Sequence, residues 1–322
     1  MQSNYTVNVS PFVRALDITI IIAGFLGNSL VCAVFLSKSN AFHSTTNKLI
    51  LHQSIIDLIA IIIFLIARVI VHPDVQEIPS GSISAQLFCK FWYNDFIMWG
   101  VFYASTFNLV LIAFERYAAS CQLIWYRNFR LRGIAKFGFL APWILGFGSQ
   151  SYIVIFTYYT DGVCWVIWPA EAAQQVGGVI VFSFEFLFPI ITMTWCYSKV
   201  ILLLRKREKA NRAVLRQDNI LRRSKNVVTT LVTITIAYVV CWMPTEMMYL
   251  TFNLGLVVYY GGNVYYIFAV LTTLNFVVNP CIYTCKYKRF RNILRGLVCR
   301  LQWGRNEVSD IHPRLQQMRH IP

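Results

Sequence analysis

The segment from Phe96 to Tyr117, FIMWGVFYASTFNLVLIAFERY, decides the fold of this chain. Its first nineteen residues carry no charged side chain, and Glu115, Arg116 and Tyr117 follow at once. A helix needs about 20 mostly apolar residues to cross a bilayer, and an arginine is costly in the middle of one. The segment therefore predicts a transmembrane helix that ends at the membrane interface beside Arg116.

The composition indicates that this helix is one of several. Of 322 residues, 57% are hydrophobic and only 13% are charged, which fits a membrane protein better than a soluble core. We predict an all-α membrane protein, a seven-transmembrane helix bundle over residues 17–285 that follows an N-terminal tail of residues 1–16. The predicted spans are Ile18 to Leu36, Leu49 to Val71, Phe96 to Phe114, Phe137 to Tyr159, Val176 to Leu204, Val227 to Val258, and Val264 to Cys285.

The positions of the basic residues predict the orientation of the bundle. The net charge of +15 suggests nucleic acid at first, but Lys and Arg are divided among the connections between spans rather than gathered on one soluble domain. Of the 29, 26 lie on alternate connections and the tail, which leaves Arg14, Arg68 and Lys90 for the other face. By the positive-inside rule we expect an extracellular N-terminus, a cytoplasmic C-terminus and no nucleic-acid partner.

Two features of the predicted extracellular face agree with this orientation. Asn4 and Asn8 each begin an N-glycosylation sequon in the N-terminal tail, and the first span is expected to act as its own uncleaved signal. Of nine cysteines, only Cys89 and Cys164 are predicted on the oxidising face. We predict a disulfide between them, with two free thiols as the alternative.

The chain after the last span predicts a short amphipathic eighth helix, residues 286–301, on the cytoplasmic face, followed by a tail of residues 302–322. Cys299 in this helix is a candidate for palmitoylation, and a plain thiol is the alternative. The apolar residues that recur there at helical spacing are Phe290, Ile293, Leu294, Leu297, Val298 and Leu301.

Prolines inside three spans predict kinks, because each removes a backbone hydrogen bond. Asn279-Pro280-Cys281-Ile282-Tyr283 lies near the inner end of the seventh span, Cys241-Trp242-Met243-Pro244 in the sixth, and Pro189 in the fifth. With Glu115-Arg116-Tyr117, these landmarks stand in a fixed order along the chain. The others in the set are Asn28, Asp57, Trp143, Cys89 and Cys164.

This ordered set resembles the rhodopsin-like (class A) family of G protein-coupled receptors, from about Gly27 to Arg295. Spans three and seven are most similar to those of its neuropeptide receptors, in the neighbourhood of galanin, allatostatin and somatostatin receptors. The resemblance implies a multi-pass protein of the plasma membrane that binds an extracellular ligand and activates a heterotrimeric G protein. It also implies arrestin, a receptor kinase and membrane lipids as partners.

Family roles carry over to matching residues. The resemblance implies that Glu115 holds Arg116 at rest and that Arg116 turns toward the G protein on activation, supported by Tyr197 and Tyr283. Trp242 is the expected floor of the ligand pocket, with plain packing as the alternative. The implied activation switch comprises Glu115, Arg116, Tyr117, Tyr197, Trp242, Pro244, Asn279, Pro280 and Tyr283.

An allosteric sodium ion is the one cofactor that the resemblance implies. Its expected ligands are Asp57, Ser105, Asn275 and Asn279, and the alternative for Asp57 is a protonated carboxyl capped by neighbouring amides.

Several residues depart from the family pattern. The interval from Cys89 to Arg116 is longer than usual, and Tyr238 replaces a common phenylalanine. Leu123 stands where a proline is frequent, so the G protein contacts expected are Arg116, Leu123 and Ile124. The foot of the sixth span, residues 222–225, has no acid to pair with Arg116. We therefore predict a resting lock that depends mainly on Glu115, and a measurable basal signal.

Acidic residues predict a cationic ligand. Glu185 lies one turn before Pro189, and Glu246 one turn after Trp242, so each is expected to share a helix face with its landmark. With spans five and six arranged as the resemblance implies, both carboxylates converge on the outer cavity. Asp95 and Asp17 near its mouth add negative charge. A short basic or amidated peptide is the expected ligand; the alternatives are a protonated Glu, or pairing of Arg68 with Glu246 or Asp95. The predicted ligand-binding residues are Asp95, Met98, Trp99, Glu185, Trp242, Glu246 and Trp165.

Other classes fit less well. Met98 stands where amine receptors of the family carry an aspartate, and the seventh span has no lysine for a retinal Schiff base. A receptor for a non-peptide small molecule, such as an atypical amine or a lipid, stays an alternative. No catalytic motif supports an enzyme. A transporter could use Asp57, Glu185 and Glu246 as a proton relay, but the seven unlike spans do not divide into repeats.

Overall fold

The computed structural model describes residues 10–37, 45–70, 78–79, 81–131, 138–211, 218–257, 262–286 and 290–296. Apart from one hairpin, these residues are almost entirely helical. The helices are α1 (Pro11–Leu36), α2 (Thr45–Leu65), α3 (Ser82–Phe88), α4 (Phe96–Cys121), α5 (Leu123–Leu131), α6 (Ala141–Ser149), α7 (Ser151–Phe156), α8 (Glu171–Phe182), α9 (Phe188–Asn211), α10 (Asp218–Asn253) and α11 (Gly262–Lys286); the strands are β1 (Thr157–Thr160) and β2 (Val163–Val166). Short π-helical turns, Ile66–Ile70, Cys89–Tyr93 and Ser183–Leu187, extend or join neighbouring helices.

Six helical stretches in the described residues are long and apolar enough to cross a membrane. They correspond to six of the seven predicted spans, and the stretch at the fourth is shorter. The six are Pro11–Leu36, Thr45–Ile70, Ser82–Cys121, Glu171–Lys209, Lys225–Asn253 and Asn263–Lys286, and the shorter one is Ala141–Phe156.

The fourth span departs from the predicted range of Phe137 to Tyr159. Its helix begins at Ala141 with Pro142 in the first turn, a position that suits proline because its missing N–H has no partner there anyway. The helix ends at Phe156 because Thr157 adopts an extended backbone and pairs with Val166 in the hairpin. At 1.5 Å per residue this helix is about 24 Å long.

The first helix begins earlier than predicted, at Pro11 rather than Ile18. The Ser10 side chain accepts a hydrogen bond of 3.3 Å from the backbone N–H of Val13, and Pro11 occupies the first helical position. Both are typical signals of a helix start.

Helix α4 is the centre of the bundle. Every residue at positions 98–109 is buried, so this part of the helix is covered on all sides. Gly146 lets α6 approach it closely: a Cβ built on Gly146 would lie 2.5 Å from both the carbonyl oxygen of Gly100 and the backbone nitrogen of Ala104. Small residues permit such close helix contacts in membrane proteins. The contact holds Trp143 and Gln150 of the fourth span against α4.

The hairpin, which the sequence analysis did not predict, is attached to the N-terminal end of the third span. Strands β1 and β2 are antiparallel with Tyr159 opposite Cys164, and Cys164 forms a disulfide with Cys89. Asn94 Nδ2 donates to Thr157 Oγ1 at 3.0 Å, which is a second tie between α4's start and the hairpin. The predicted disulfide is therefore confirmed. We call this end of the bundle the disulfide end, and the opposite end the arginine end.

Only part of the chain beyond α11 is described. Residues 290–296 are helical, and the Phe290 ring lies 6.0 Å from the Phe35 ring of α1, with Ile293 also buried. The rest of the predicted eighth helix, including Cys299, lies outside the described residues. So do Asn4, Asn8 and the tail from residue 302.

Candidate ligand and signalling sites

At the arginine end, Glu115 and Arg116 form a two-point ion pair. Arg116 Nε donates to Glu115 Oε2 at 2.6 Å, and its Nη2 donates to Oε1 at 2.7 Å. Such forked pairs are the strongest type of carboxylate contact that arginine makes. The Glu115 side chain is 6% exposed, so the pair is screened less than one on the surface.

Two further donors hold Glu115, and the sequence did not reveal either. Tyr126 Oη of α5 donates to Glu115 Oε1 at 2.7 Å, and Thr46 Oγ1 of α2 donates to Oε2 at 3.2 Å. Burial and the neighbouring Glu115 raise the pKa of the Tyr126 hydroxyl, so it stays protonated and able to donate. Glu115 thus connects α2, α4 and α5.

The foot of α10 makes an ion pair of its own. Lys225 Nζ lies 2.6 Å from Glu208 Oε2 of α9, and both side chains are more than 40% exposed. An exposed pair of this kind contributes little to stability. The side chains of residues 222–224 lie outside the described part of the chain.

Three tyrosines and two apolar residues were also predicted for the signalling site at the arginine end. The Tyr117 ring packs 4.7 Å from the Trp195 ring of α9, and Tyr197 and Tyr283 are buried. Leu123 and Ile124 begin α5 and are exposed; the Ile124 side chain is 81% exposed. This apolar pair therefore lies on the surface, at the start of the helix that carries Tyr126.

Asp57 in the middle of the bundle is fully buried and accepts hydrogen bonds on both oxygens. Oδ1 accepts from Ser105 Oγ at 2.7 Å and from Gln53 Nε2 at 2.9 Å, while Oδ2 accepts from Asn279 Nδ2 at 3.1 Å. Three of the four predicted sodium ligands are thus brought together. Neither polar atom of Asn275 hydrogen-bonds to a described residue.

A directed chain of hydrogen bonds, which we call the polar relay, leads from the fourth span to Asp57. Trp143 Nε1 donates to His52 Nε2 at 3.2 Å, so the proton of this imidazole is on Nδ1 and is donated to Asn108 Oδ1 at 2.9 Å. Asn108 Nδ2 donates to Gln53 Oε1 at 2.7 Å. The Gln53 amide then donates to Asp57, which ends the relay.

Toward the disulfide end, Glu185 and Glu246 converge as expected. We call these two residues the acid pair. Both are only 1% exposed. Glu246 Oε1 accepts a hydrogen bond of 2.6 Å from Tyr103 Oη, and Glu185 Oε1 accepts one of 2.5 Å from Gln150 Nε2. The two carboxyl groups lie close enough to interact electrostatically. Within the described residues, neither has an ion pair with a basic side chain, and all donors to them are neutral.

Aromatic rings lie directly beneath these acids. The Trp242 ring is 4.9 Å from Tyr103, 5.6 Å from Tyr238 and 6.4 Å from Trp99. Tyr238, which stands where the family commonly has a phenylalanine, donates a hydrogen bond of 3.1 Å to the backbone oxygen of Glu185. Met98 beside them is also buried. The predicted aromatic floor therefore adjoins the acid pair, and Tyr103, Gln150 and Tyr238 are the contacts that the sequence did not suggest.

Asp95 lies apart from this pair and already has a cationic partner. Arg68 Nη2 lies 3.1 Å from Asp95 Oδ2, and Tyr265 Oη donates to the same oxygen at 3.1 Å. The Arg68 guanidinium also lies 5.0 Å from the centre of the Tyr266 ring. Buried Asp17 interacts electrostatically with Arg68 as well. The structure thus favours the alternative for Asp95, because Arg68 offsets its charge.

Trp165 is placed on the hairpin rather than on the acid pair. It lies on β2 opposite Tyr158, and its side chain is 37% exposed. Trp168 instead packs on Phe156 with 4.6 Å between ring centres. No contact among the described residues joins Trp165 to Glu185, Glu246 or Trp242. Trp165 follows Cys164 in β2, and because neighbouring residues of a strand point to opposite faces, Trp165 points away from the disulfide.

Comparison with known protein families shows which family has this arrangement of helices and polar residues. The family model named 7 transmembrane receptor (rhodopsin family) matches residues 27–283. The chain belongs to this family. The match begins within the first span and ends within the seventh, and it includes the short fourth span, the acid pair and Arg116.

Individual relatives of this rhodopsin-family receptor are neuropeptide receptors. It is 26% identical over 311 residues to galanin receptor type 1 of Rattus norvegicus, covering 92% of this chain and 85% of the relative. It is 27% identical over 300 residues to neuropeptide Y receptor type 1 of Xenopus laevis, covering 86% and 77%. It is 26% identical over 288 residues to tachykinin-like peptides receptor 86C of Drosophila melanogaster, covering 85% and 56%.

Family membership confirms the predicted class. The receptor is a multi-pass protein of the plasma membrane and not an enzyme, because the family and these relatives are receptors. The same finding overturns the transporter alternative.

Proposed function

We propose that this receptor binds an extracellular peptide with a cationic group and activates a heterotrimeric G protein. The disulfide end, with the N-terminus, faces outward in this proposal, and the arginine end faces the cytoplasm. The basic residues on alternate connections support this orientation.

The observation that carries the ligand proposal is the acid pair. Two buried carboxyl groups repel each other when both are ionised, because the protein interior screens charge weakly. A cation between Glu185 and Glu246 would offset this repulsion. A guanidinium is well suited, since its planar fork of N–H donors can bind two carboxylates at once. An ammonium or a free amino terminus is the smaller alternative.

The relatives support a peptide as the carrier of this cation. Their names specify galanin, neuropeptide Y and tachykinin-like peptides. In our proposal the Arg68–Asp95 ion pair, which Tyr265 also contacts, binds another part of an extended ligand. A non-peptide small molecule is the second candidate, because the same acid pair would also hold an atypical amine.

Signalling follows if the ligand binds one conformation of the receptor better than the other. In our proposal, the resting state keeps Arg116 on Glu115, and the active state releases it toward the G protein, with Tyr197 and Tyr283 moving in beside it. Trp242, Pro244, Asn279 and Pro280 transmit the change through α10 and α11. Leu123 and Ile124 provide an apolar contact for the G protein, and arrestin and a receptor kinase act at the same face.

A peptide-library screen with a promiscuous G protein reporter tests this function. The library should contain matched pairs in which each Arg or Lys is replaced by Gln, together with a set of small amines and lipids. We expect hits among cationic peptides, and much weaker activation by their Gln partners. A Glu185→Gln/Glu246→Gln receptor of equal surface density is the control. Activation by a neutral lipid that ignores both substitutions would refute the proposed ligand class.

A further inference from the structure

We infer that Gln53 takes the place of a cation beside Asp57, so that sodium does not act on this receptor through Asp57. The inference concerns the middle of the bundle and does not depend on the proposed ligand. It departs from the sodium ion that the family resemblance implies.

The first argument is the donor that already occupies the site. Gln53 lies one turn before Asp57 on α2, and its Nε2 donates to Asp57 Oδ1 at 2.9 Å and to Ser105 Oγ at 2.5 Å. A sodium ion bound by Asp57 Oδ1 and Ser105 Oγ would have to compete with this amide for both oxygens, and Asp57 Oδ2 accepts from Asn279 Nδ2. The amide therefore meets both predicted ligands with N–H groups and supplies the positive end of a dipole where the ion would supply charge.

The second argument is a count of lone pairs. Asp57 Oδ1 accepts from both Gln53 and Ser105, which uses both of its lone-pair directions. The Ser105 hydroxyl donates its hydrogen bond to Asp57 and accepts one from Gln53. An ion that binds Asp57 Oδ1 would have to displace the amide and leave a buried N–H group without an acceptor, which costs free energy.

The third argument is that the amide is fixed. Asn108 Nδ2 donates to both Gln53 Oε1 at 2.7 Å and the Leu49 carbonyl at 3.2 Å, and a carbonyl can only accept. This sets the orientation of Asn108 and, through it, the orientation of Gln53, so that Nε2 must point at Asp57. The polar relay to His52 and Trp143 holds Asn108 in turn.

Removal of the amide should uncover an ion site. In a Gln53→Leu receptor, Asp57 Oδ1 and Ser105 Oγ each regain a lone pair. Asn279 contacts Asp57 through Nδ2, and its side-chain oxygen has no hydrogen-bond donor among the described residues, so this oxygen can add to the shell. In our inference the Asn275 oxygen, which has no such donor either, is the further ligand.

The experiment measures thermal unfolding of the purified full-length receptor without any ligand or G protein. Unfolding is followed by a thiol-reactive dye, since Cys196 and Cys241 are buried in the fold. Each receptor is heated in sodium chloride and in choline chloride at the same ionic strength. This readout can succeed or fail independently of the proposed function.

For the parent receptor we expect the same melting temperature in both salts. For Gln53→Leu we expect sodium to raise it by about 3 °C, the shift for a site filled at roughly ten times its Kd. Addition of Asp57→Asn to Gln53→Leu should abolish the rise. Asn108→Leu, which leaves Gln53 in place but frees its amide, is the second variant and should show a smaller sodium-dependent rise.

Two results would overturn the inference. One is a parent receptor that sodium stabilises and that loses this effect on Asp57→Asn. The other is a folded Gln53→Leu receptor that shows no sodium response. If Gln53→Leu cannot be purified, the parent, Asp57→Asn and Asn108→Leu receptors still decide the question.

Discussion

Tyr126 donates a hydrogen bond of 2.7 Å to Glu115 Oε1, the same oxygen that accepts from Arg116 Nη2. The hydroxyl comes from α5, outside the helix that carries the ion pair. It therefore ties the position of α5 to the carboxylate that binds Arg116. Any movement of Arg116 away from Glu115 changes the charge that Tyr126 faces.

We expect Tyr126→Phe to raise ligand-independent signalling about twofold to threefold, because a hydrogen bond to a charged group is worth about 1.5–3 kcal/mol and only the part specific to the resting state counts. Basal G protein activation at matched surface density measures this. Tyr93→Phe makes the same chemical change at an exposed ring and should leave the basal signal unchanged. A Tyr126→Phe receptor as quiet as the parent would show that this hydroxyl does not restrain Arg116.

Glu115→Gln should have a larger effect than Tyr126→Phe. The substitution keeps the shape of the side chain but removes the charge that binds both Arg116 nitrogen atoms. We expect the basal signal to rise about tenfold, which corresponds to about 1.4 kcal/mol of lost resting-state stabilisation. If the variant signals no more than the parent without ligand at equal surface density, the lock does not depend on Glu115.

The acid pair gives a prediction for the agonist found by the library screen. Glu246→Gln and Glu185→Gln should each raise the half-maximal concentration of a cationic peptide at least about tenfold, because truncating a desolvated charge pair typically costs about 2–5 kcal/mol. The same substitutions should hardly change the potency of the peptide analogue in which Gln replaces the cationic residue. Measuring both peptides on the parent and on each variant gives a double-mutant cycle, which separates the contact between charges from a general disturbance of the pocket. Equal losses for both peptides would contradict a direct contact.

The sequence predicts some features of this fold better than others. The spans could be predicted, because a run of about 20 apolar residues has few other structural explanations. The disulfide followed from the predicted face of Cys89 and Cys164. The fourth span was predicted too long because strand pairing of Thr157, a long-range contact, ends its helix. Hydropathy carries no information about such pairing.

The side-chain partners in the sites were harder to predict. Glu185 and Glu246 could be placed in the same region from helical spacing to Pro189 and Trp242. The donors Tyr103, Gln150 and Gln53 could not, because each depends on the rotation of a helix about its axis relative to its neighbour. The pairing of Arg68 with Asp95 remained one of several alternatives for the same reason.

Arg68 should matter for stability through the acid that it offsets. Arg68→Gln leaves Asp95 and buried Asp17 without this cation, and an unpaired buried charge is strongly destabilising. We expect the melting temperature to fall by several degrees in Arg68→Gln, and to recover in part in Arg68→Gln/Asp95→Asn. Thermal unfolding of the purified receptor provides the measurement. A double variant no more stable than Arg68→Gln would indicate that Arg68 acts through its packing on Tyr265 and Tyr266 instead.

The two glycines of α6 offer a matched test of how the fourth span is positioned. A Cβ on Gly146 would lie 2.5 Å from the backbone of α4, and a backbone cannot turn aside as a flexible side chain can, whereas a Cβ on Gly148 would meet nothing within 4 Å. We therefore expect Gly146→Ala to push α6 from α4 and lower the melting temperature by several degrees, at an overpacking cost of about 1–3 kcal/mol. Gly148→Ala should be neutral or slightly stabilising, since alanine favours a helix by up to about 1 kcal/mol over glycine. Because Gln150 reaches Glu185 from the same span, Gly146→Ala should also weaken the cationic agonist, and Gly148→Ala should not. Equal stability of the two variants would mean that α6 does not rest on the α4 backbone.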